Sequence, residues 1–160
     1  MIFIGVDPGA KGSLVALRGD KVLLMSIFNK HEYRRIVSYC VELDVTYAVV
    51  EQVHAMPSQG VTSMFSFGEN YGWIKGLLDA FKVPFVTIPP QNWKKQYDLI
   101  SPKGTDKKVI KQRSIECAKT LFPDTSLLAS ARCKVESDGL AEGLLIANFC
   151  RRNFDALFNY

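Results

Sequence analysis

IFIGVDPGAKGSLVAL, residues 2–17, holds two apolar runs on either side of a turn. Ile2, Ile4 and Val6 alternate with Phe3, Gly5 and Asp7, the period-two pattern of a β-strand, and Leu14 to Leu17 form the second run. Pro8, Gly9 and Gly12 supply the turn that folds one strand back on the other, and glycines also admit close approach of a bulky polyanion. Asp7 therefore ends a buried strand. A carboxylate there is costly to desolvate unless something positive sits beside it, which points to metal or phosphate chemistry.

Outward from this hairpin, Lys21 to Phe28 reads as a third strand that completes an antiparallel meander. Asn29 is placed to cap a helix carrying Tyr33, Ile36, Val37, Cys40 and Leu43 at helical spacing, with Glu32 three residues after the cap. Tyr47 to Val50 is a short apolar strand without polar alternation, as expected for one covered on both faces, and it ends at Glu51. His54 to Gly60, rich in Pro, Ser and Gly, reads as a flexible loop. A helix follows from Thr62 to Phe81. Its stripe of Phe67, Tyr71, Ile74, Leu78 and Phe81 is joined by the off-stripe Phe65, Trp73 and Leu77, so it is either deeply buried or meets a partner subunit with its second face.

Val83 to Ile88 reads as a fifth strand, stopped by Pro89-Pro90. Then come QNWKKQYDL, a short helix or turn, and the polar loop SPKGTD. Thr105 is expected to cap a helix with Val109, Ile110, Cys117, Ala118 and Leu121 inward, ending before Pro123. Residues 124–136 look irregular. Ser137 caps a last helix with Leu140, Leu144, Ala147 and Phe154 at core spacing. The order β-β-β-α-β-α-β-α-α predicts an α/β fold: a mixed five-stranded sheet, three strands in an antiparallel meander and two parallel, with helices on both faces.

Asp7 and Glu51 each stand where an apolar strand ends. Asp138 and Glu142, four apart, share one face of the last helix, with Glu136 just upstream. Such like charges on one face are easier to understand if a cation lies between them, and Mg²⁺ takes carboxylate oxygens together with water and phosphate. Two such ions about 4 Å apart can activate a water and stabilise a leaving 3′-oxygen in phosphodiester hydrolysis. Taken singly, Glu136 reads as a solvated residue, and Asp138 or Glu142 as a favourable charge near a helix N-terminus.

The 160 residues are read as one domain, 1–160, with room for a real core. No apolar run approaches the ~20 residues of a membrane span and the start lacks the basic region of a signal peptide, so a soluble, cytoplasmic protein is expected. Cys40, Cys117, Cys133 and Cys150 form no CxxC pair, which argues for buried free thiols and against zinc. The net charge of +4 is concentrated: residues 91–120 hold eight bases and three acids, a local net of +5. Such clustering is the footprint of a polyanion partner, although a solvated lysine-rich helix face has the same composition.

In their order and spacing, IGVDPGAKG, AVVEQV, IPPQNWKK, TDKK and SDGLAEGLLIA resemble the RuvC family of Holliday-junction resolvases, a branch of the ribonuclease H-like superfamily. The resemblance spans nearly the whole chain, and the PPQNWKK form looks more like the phage and virus members, which act in the host cytoplasm. It implies a homodimer that grips branched DNA and nicks two opposed strands, a Mg²⁺-dependent crossover junction endodeoxyribonuclease with two ions per site and Mn²⁺ able to substitute. By this resemblance Asp7, Glu51, Asp138 and Glu142 are metal ligands and catalytic residues. Lys94 or Lys95, and Lys107 or Lys108, take the place of lysines that contact or neutralise the scissile phosphate, with Lys94 and Lys107 assigned as catalytic. His54, Trp93, Lys94, Lys95, Lys103, Lys107, Lys108 and Lys111 form the expected DNA-binding set.

Two departures qualify the match. The bacterial pattern places its last two acids three apart, whereas here they are four apart with glutamate second, leaving the ligands among Glu136, Asp138 and Glu142 open. His54 stands where bacterial members stack an aromatic ring on an unpaired base, so a broader range of branched DNA, forks and three-way junctions included, is expected. The rivals are a ribonuclease H-like nuclease on other substrates, an actin-like nucleotide-binding domain, which shares the first hairpin but needs a second lobe, and a non-catalytic DNA-binding module.

Overall fold

The computed structural model describes residues 1–54 and 60–159. Five strands, β1 (Ile2–Asp7), β2 (Ser13–Arg18), β3 (Lys21–Ile27), β4 (Thr46–Glu51) and β5 (Phe85–Ile88), form one sheet in the order β3-β2-β1-β4-β5. The first three are antiparallel neighbours, and β4 and β5 run parallel to β1. The mixed sheet expected from the sequence is thus present, with β1 at its centre.

Strand alternation sorts the apolar side chains into two cores. Ile2, Ile4, Val6, Leu14, Ala16, Ala48 and Val50 face α1 (Lys30–Leu43) and the C-terminal half of α2 (Val61–Ala80). Phe3, Val15, Leu17 and Val49 face the helices that follow β5: α3 (Pro90–Gln96), α4 (Lys107–Leu121) and α5 (Asp138–Arg152). The short α6 (Phe154–Phe158) closes this second layer through Phe154, whose ring meets those of Phe3 and Tyr47 edge-on. No helix among the described residues is long and apolar enough to cross a membrane.

Local signals place the helix starts. Asn29 accepts from the backbone N–H of His31 and Glu32 at the start of α1, and Ser137 accepts from Leu140 N–H at the start of α5. At α4 the cap is Asp106, whose carboxylate accepts from Lys108 N–H, while the expected cap Thr105 donates its hydroxyl to the Pro102 carbonyl. The last helix is also shorter than expected: it stops at Arg152, where the Asn153 amide donates to the Phe149 carbonyl, so Phe154 begins α6.

Two faces differ from their expected form. In α2 only Ile74, Leu77 and Leu78 are buried, and Val61 and Phe65 are 80% and 74% exposed, so the helix is not deeply buried. In α4 the buried side chains are Ser114, Ile115 and Ala118, with Val109 and Leu121 exposed. The expected loop 54–60 lies mostly outside the described residues, and only His54 and Gly60 are described, both exposed. Of the four free cysteines, Cys40 and Cys150 are buried, and Cys117 and Cys133 are half-buried.

Candidate active site

Asp7 and Glu51 come together because β1 and β4 are parallel neighbours with Val6 opposite Val50, and each acid is the next residue along its strand. Alternation from Phe3 and Gly5, and from Val49, turns both carboxylates to the α5 side of the sheet. Burial is the main cause that raises Asp7 from its ordinary 3.8 to about 6, opposed by the Gly9 N–H that Asp7 Oδ1 accepts at 3.0 Å. Burial, then the charge of Asp7, raises Glu51 to about 7.

The remaining two acids arrive on α5, which lies directly on β1 and β2 because glycines remove the atoms between them. A Cβ on Gly5 would collide with the backbone of Ala147 and Gly143, and one on Gly139 with the Lys11 carbonyl. Ser13 Oγ donates to the Gly139 carbonyl at 2.7 Å, bonding the first turn of α5 to β2. Asp138 and Glu142 each precede one of these glycines, so the contact that docks the helix also delivers them to the end of the sheet. Both charges act on Asp7, and that of Glu142 also acts on Glu51.

Flanking helices supply the opposite charges. Lys94 lies over the Trp93 ring, 5.1 Å from its centroid, with its ammonium 3.9 Å from Glu142 Oε1. The same Glu142 oxygen accepts from Ser114 Oγ at 3.1 Å, which is why α4 buries a serine on its inner face. Lys111 Nζ stands 2.8 Å from Asp138 Oδ2. Glu136 pairs at 2.9 Å with Lys119, about two turns further along α4.

Trp93 has a different position from the one its place in the DNA-binding set requires. Its side chain is wholly buried, and its indole N–H donates to Glu51 Oε2 at 2.7 Å, so it holds a carboxylate from behind and offers no face to DNA. Trp93→Phe leaves that oxygen short of a donor, and the expected result is a stability loss of about 2 kcal/mol by urea denaturation. An unchanged midpoint would mean that the bond carries no weight.

His54, Lys95, Lys103, Lys107, Lys108 and Lys111 are exposed, and Lys94 is half-exposed. Lys107 opens α4 one turn before Lys111 on the same face, and of these two it is Lys111 whose ammonium pairs with Asp138. Sequence spacing gave Lys111 only a place in the basic set. The glycine contacts of α5, the Ser114 bond and the indole bond to Glu51 carried no sequence signal beyond the residues themselves.

The donor set is oxygen only, which suits a hard divalent cation such as Mg²⁺, and two of its acids are buried where uncompensated charge is unfavourable. Among the described residues, no three acid, His or Cys side chains stand close enough to share one ion. Asp138 and Glu142 each face a lysine instead.

No protein-family model and no curated protein sequence matches the chain. Among solved structures it is similar to T. thermophilus RuvC in complex with a Holliday junction substrate, with a TM-score of 0.58 and 16% identity over 95% of this chain and 96% of that one. A Thermus thermophilus RuvC structure gives a TM-score of 0.50 at 17% identity over 95% and 96% of the two chains. The likeness is one of fold: the sheet and its flanking helices have the ribonuclease H-like architecture of RuvC.

Proposed function

We propose that this RuvC-like fold carries a Mg²⁺-dependent endonuclease that cuts branched DNA, acting as a homodimer on opposed strands. The observation that carries the reading is the gathering of Asp7, Glu51, Asp138 and Glu142 at one end of the sheet, beside Lys94 and the basic face of α4. The RuvC of like fold is seen with a Holliday junction substrate, which supports four-way DNA as the branched form.

In this reading the four carboxylates hold two Mg²⁺ ions, with Mn²⁺ as a substitute. Bound divalent ions supply the Lewis acidity that activates a water and stabilises the leaving 3′-oxygen. The chain's own residues do the positioning. Trp93 fixes one Glu51 oxygen, Gly9 N–H fixes one Asp7 oxygen, and Ser114 fixes one Glu142 oxygen. Lys94, restrained between the Trp93 ring and Glu142, offsets the charge that develops on the scissile phosphate. Lys95, Lys103, Lys107, Lys108 and Lys111 hold the flanking backbone, and His54 meets an unpaired base near the crossover.

The dimer surface is assigned to α2, whose Val61 and Phe65 are bare in the single chain. Two copies would then present two sites to opposed strands.

The test is incubation with labelled four-way junction, fork, linear duplex and RNA–DNA hybrid, in Mg²⁺ or in EDTA. Cutting of the junction and fork in Mg²⁺ alone, by a protein that sediments as a dimer at micromolar concentration, is the expected result. Cutting confined to the hybrid would make it a ribonuclease H, and a monomer would remove α2 from the assignment.

A further inference from the structure

Lys111 Nζ stands 2.8 Å from Asp138 Oδ2, within the distance of a charge-assisted hydrogen bond. A Mg²⁺ ion binds a carboxylate oxygen at about 2.1 Å, and no ammonium keeps its place on that same lone pair beside such an ion. The carboxylates are thus divided into two kinds. Among the described residues, Asp7 and Glu51 accept hydrogen bonds from neutral donors alone, the Gly9 N–H and the Trp93 indole, and their charge is open to a metal. Asp138 already holds a cation supplied by the chain, and for metal to reach it Lys111 has to leave.

Lys111 has somewhere to go. Its side chain is half exposed, on the face of α4 that also carries Lys107 one turn earlier, where the proposed function places the DNA backbone. A phosphate on that face competes with Asp138 for the ammonium. We infer that Lys111 is a gate: in the free protein it keeps metal from the Asp138 side of the site, and DNA draws it away so that metal loading there follows substrate binding. This rests on the nuclease reading above. The coupling is reciprocal, so the factor by which DNA tightens metal binding is also the factor by which metal tightens DNA binding. With its Asp138 side loaded only on substrate, the site also holds fewer idle ions between turnovers.

The test needs no cleavage. Mn²⁺ is titrated into wild type, Lys111→Met and Lys111→Arg without DNA, and uptake is followed by calorimetry and by the resonance signal of free Mn²⁺. Methionine keeps the length of the side chain and removes its charge, and a thermal melt verifies that each variant is folded. The expected result is Mn²⁺ binding to Lys111→Met that is about tenfold tighter than to wild type, in the range usual for site coupling, with Lys111→Arg close to wild type. Equal isotherms for wild type and Lys111→Met overturn the gate while leaving the nuclease reading intact. No Mn²⁺ uptake by any of the three defeats the metal-dependent reading itself.

Discussion

Asp7→Asn abolishes junction cleavage, by at least ~10³-fold or about 4 kcal/mol of transition-state stabilisation, and leaves junction binding unchanged or tighter. Asn keeps the size of Asp7, and its amide oxygen can still accept the Gly9 N–H. It lacks the charge that divalent ions need. The substitution also removes a negative group beside a polyanion, hence the tighter binding. Loss of both binding and cleavage would mean that Asp7 is structural.

The same variant has a signature in stability. Asp7 is raised by burial from 3.8 to about 6, so the folded protein keeps a proton that the unfolded chain releases at lower pH. The proton's contribution is full below the unfolded value and is lost as pH rises through the folded one. Metal-free wild type is therefore less stable at pH 8 than at pH 5. Between those two pH values the part due to Asp7 is at most about 1.5 kcal/mol, because the unfolded carboxyl is already mostly ionised at pH 5, and less to the extent that the carboxylate reaches solvent. Glu51, raised to about 7, acts in the same direction at slightly higher pH. Asp7→Asn has no charge to bury, so thermal melts without metal should show a higher Tm than wild type at pH 8 and a smaller gap at pH 5. Mg²⁺ should raise the Tm of wild type at pH 8 and do little for the variant. Parallel pH profiles for the two proteins would contradict the assignment of buried charge to Asp7.

Gly5→Ala prevents α5 from docking and costs more than about 4 kcal/mol, enough to unfold a protein of ordinary stability. Its Cβ would meet the backbone of Ala147 and Gly143, and two elements packed backbone to backbone have no rotamer with which to yield. Gly143→Ala is the graded comparison. There the added carbon meets the Ser13 hydroxyl, which can turn aside at the loss of its bond to the Gly139 carbonyl, so a smaller penalty is expected. Chemical denaturation of the two variants checks the order. A Gly5→Ala protein as stable as wild type would mean that α5 does not lie against β1, and the delivery of Asp138 and Glu142 to Asp7 would fail with it.

Much of this was legible in the chain. Alternation along residues 2–17 gave the hairpin and left Asp7 at a strand end, and the unbroken apolar run before Glu51 gave a second central strand. The five-stranded sheet with helices on both faces followed, as did the Asn29 and Ser137 caps. Local polar competition was harder to read. Thr105 and Asp106 are both good caps, and the carboxylate takes the Lys108 N–H while Thr105 closes the preceding turn.

Burial was hardest to read where an apolar residue is not core or a polar one is. In the N-terminal half of α2 Val61 and Phe65 are exposed and Phe67 is only half-buried, while Ser114 is buried for the sake of Glu142. Trp93 beside two lysines has the composition of a DNA-contacting segment, and only the register of α3 against β4 turns its indole to Glu51. Lys107 and Lys111 are alike in sequence, and the packing of α4 on α5 distinguishes them.

Mapping the cuts strand by strand tests the central claim most directly. A four-way junction labelled on each strand in turn is incubated with the protein in Mg²⁺, and the products are resolved on a denaturing gel. The expected result is symmetrically related nicks in two opposed strands, ends that a ligase can reseal, and no cuts in the matching linear duplex. Equal nicking of the duplex, or an uncut junction that is nonetheless tightly bound, would contradict a structure-selective nuclease built on these four carboxylates.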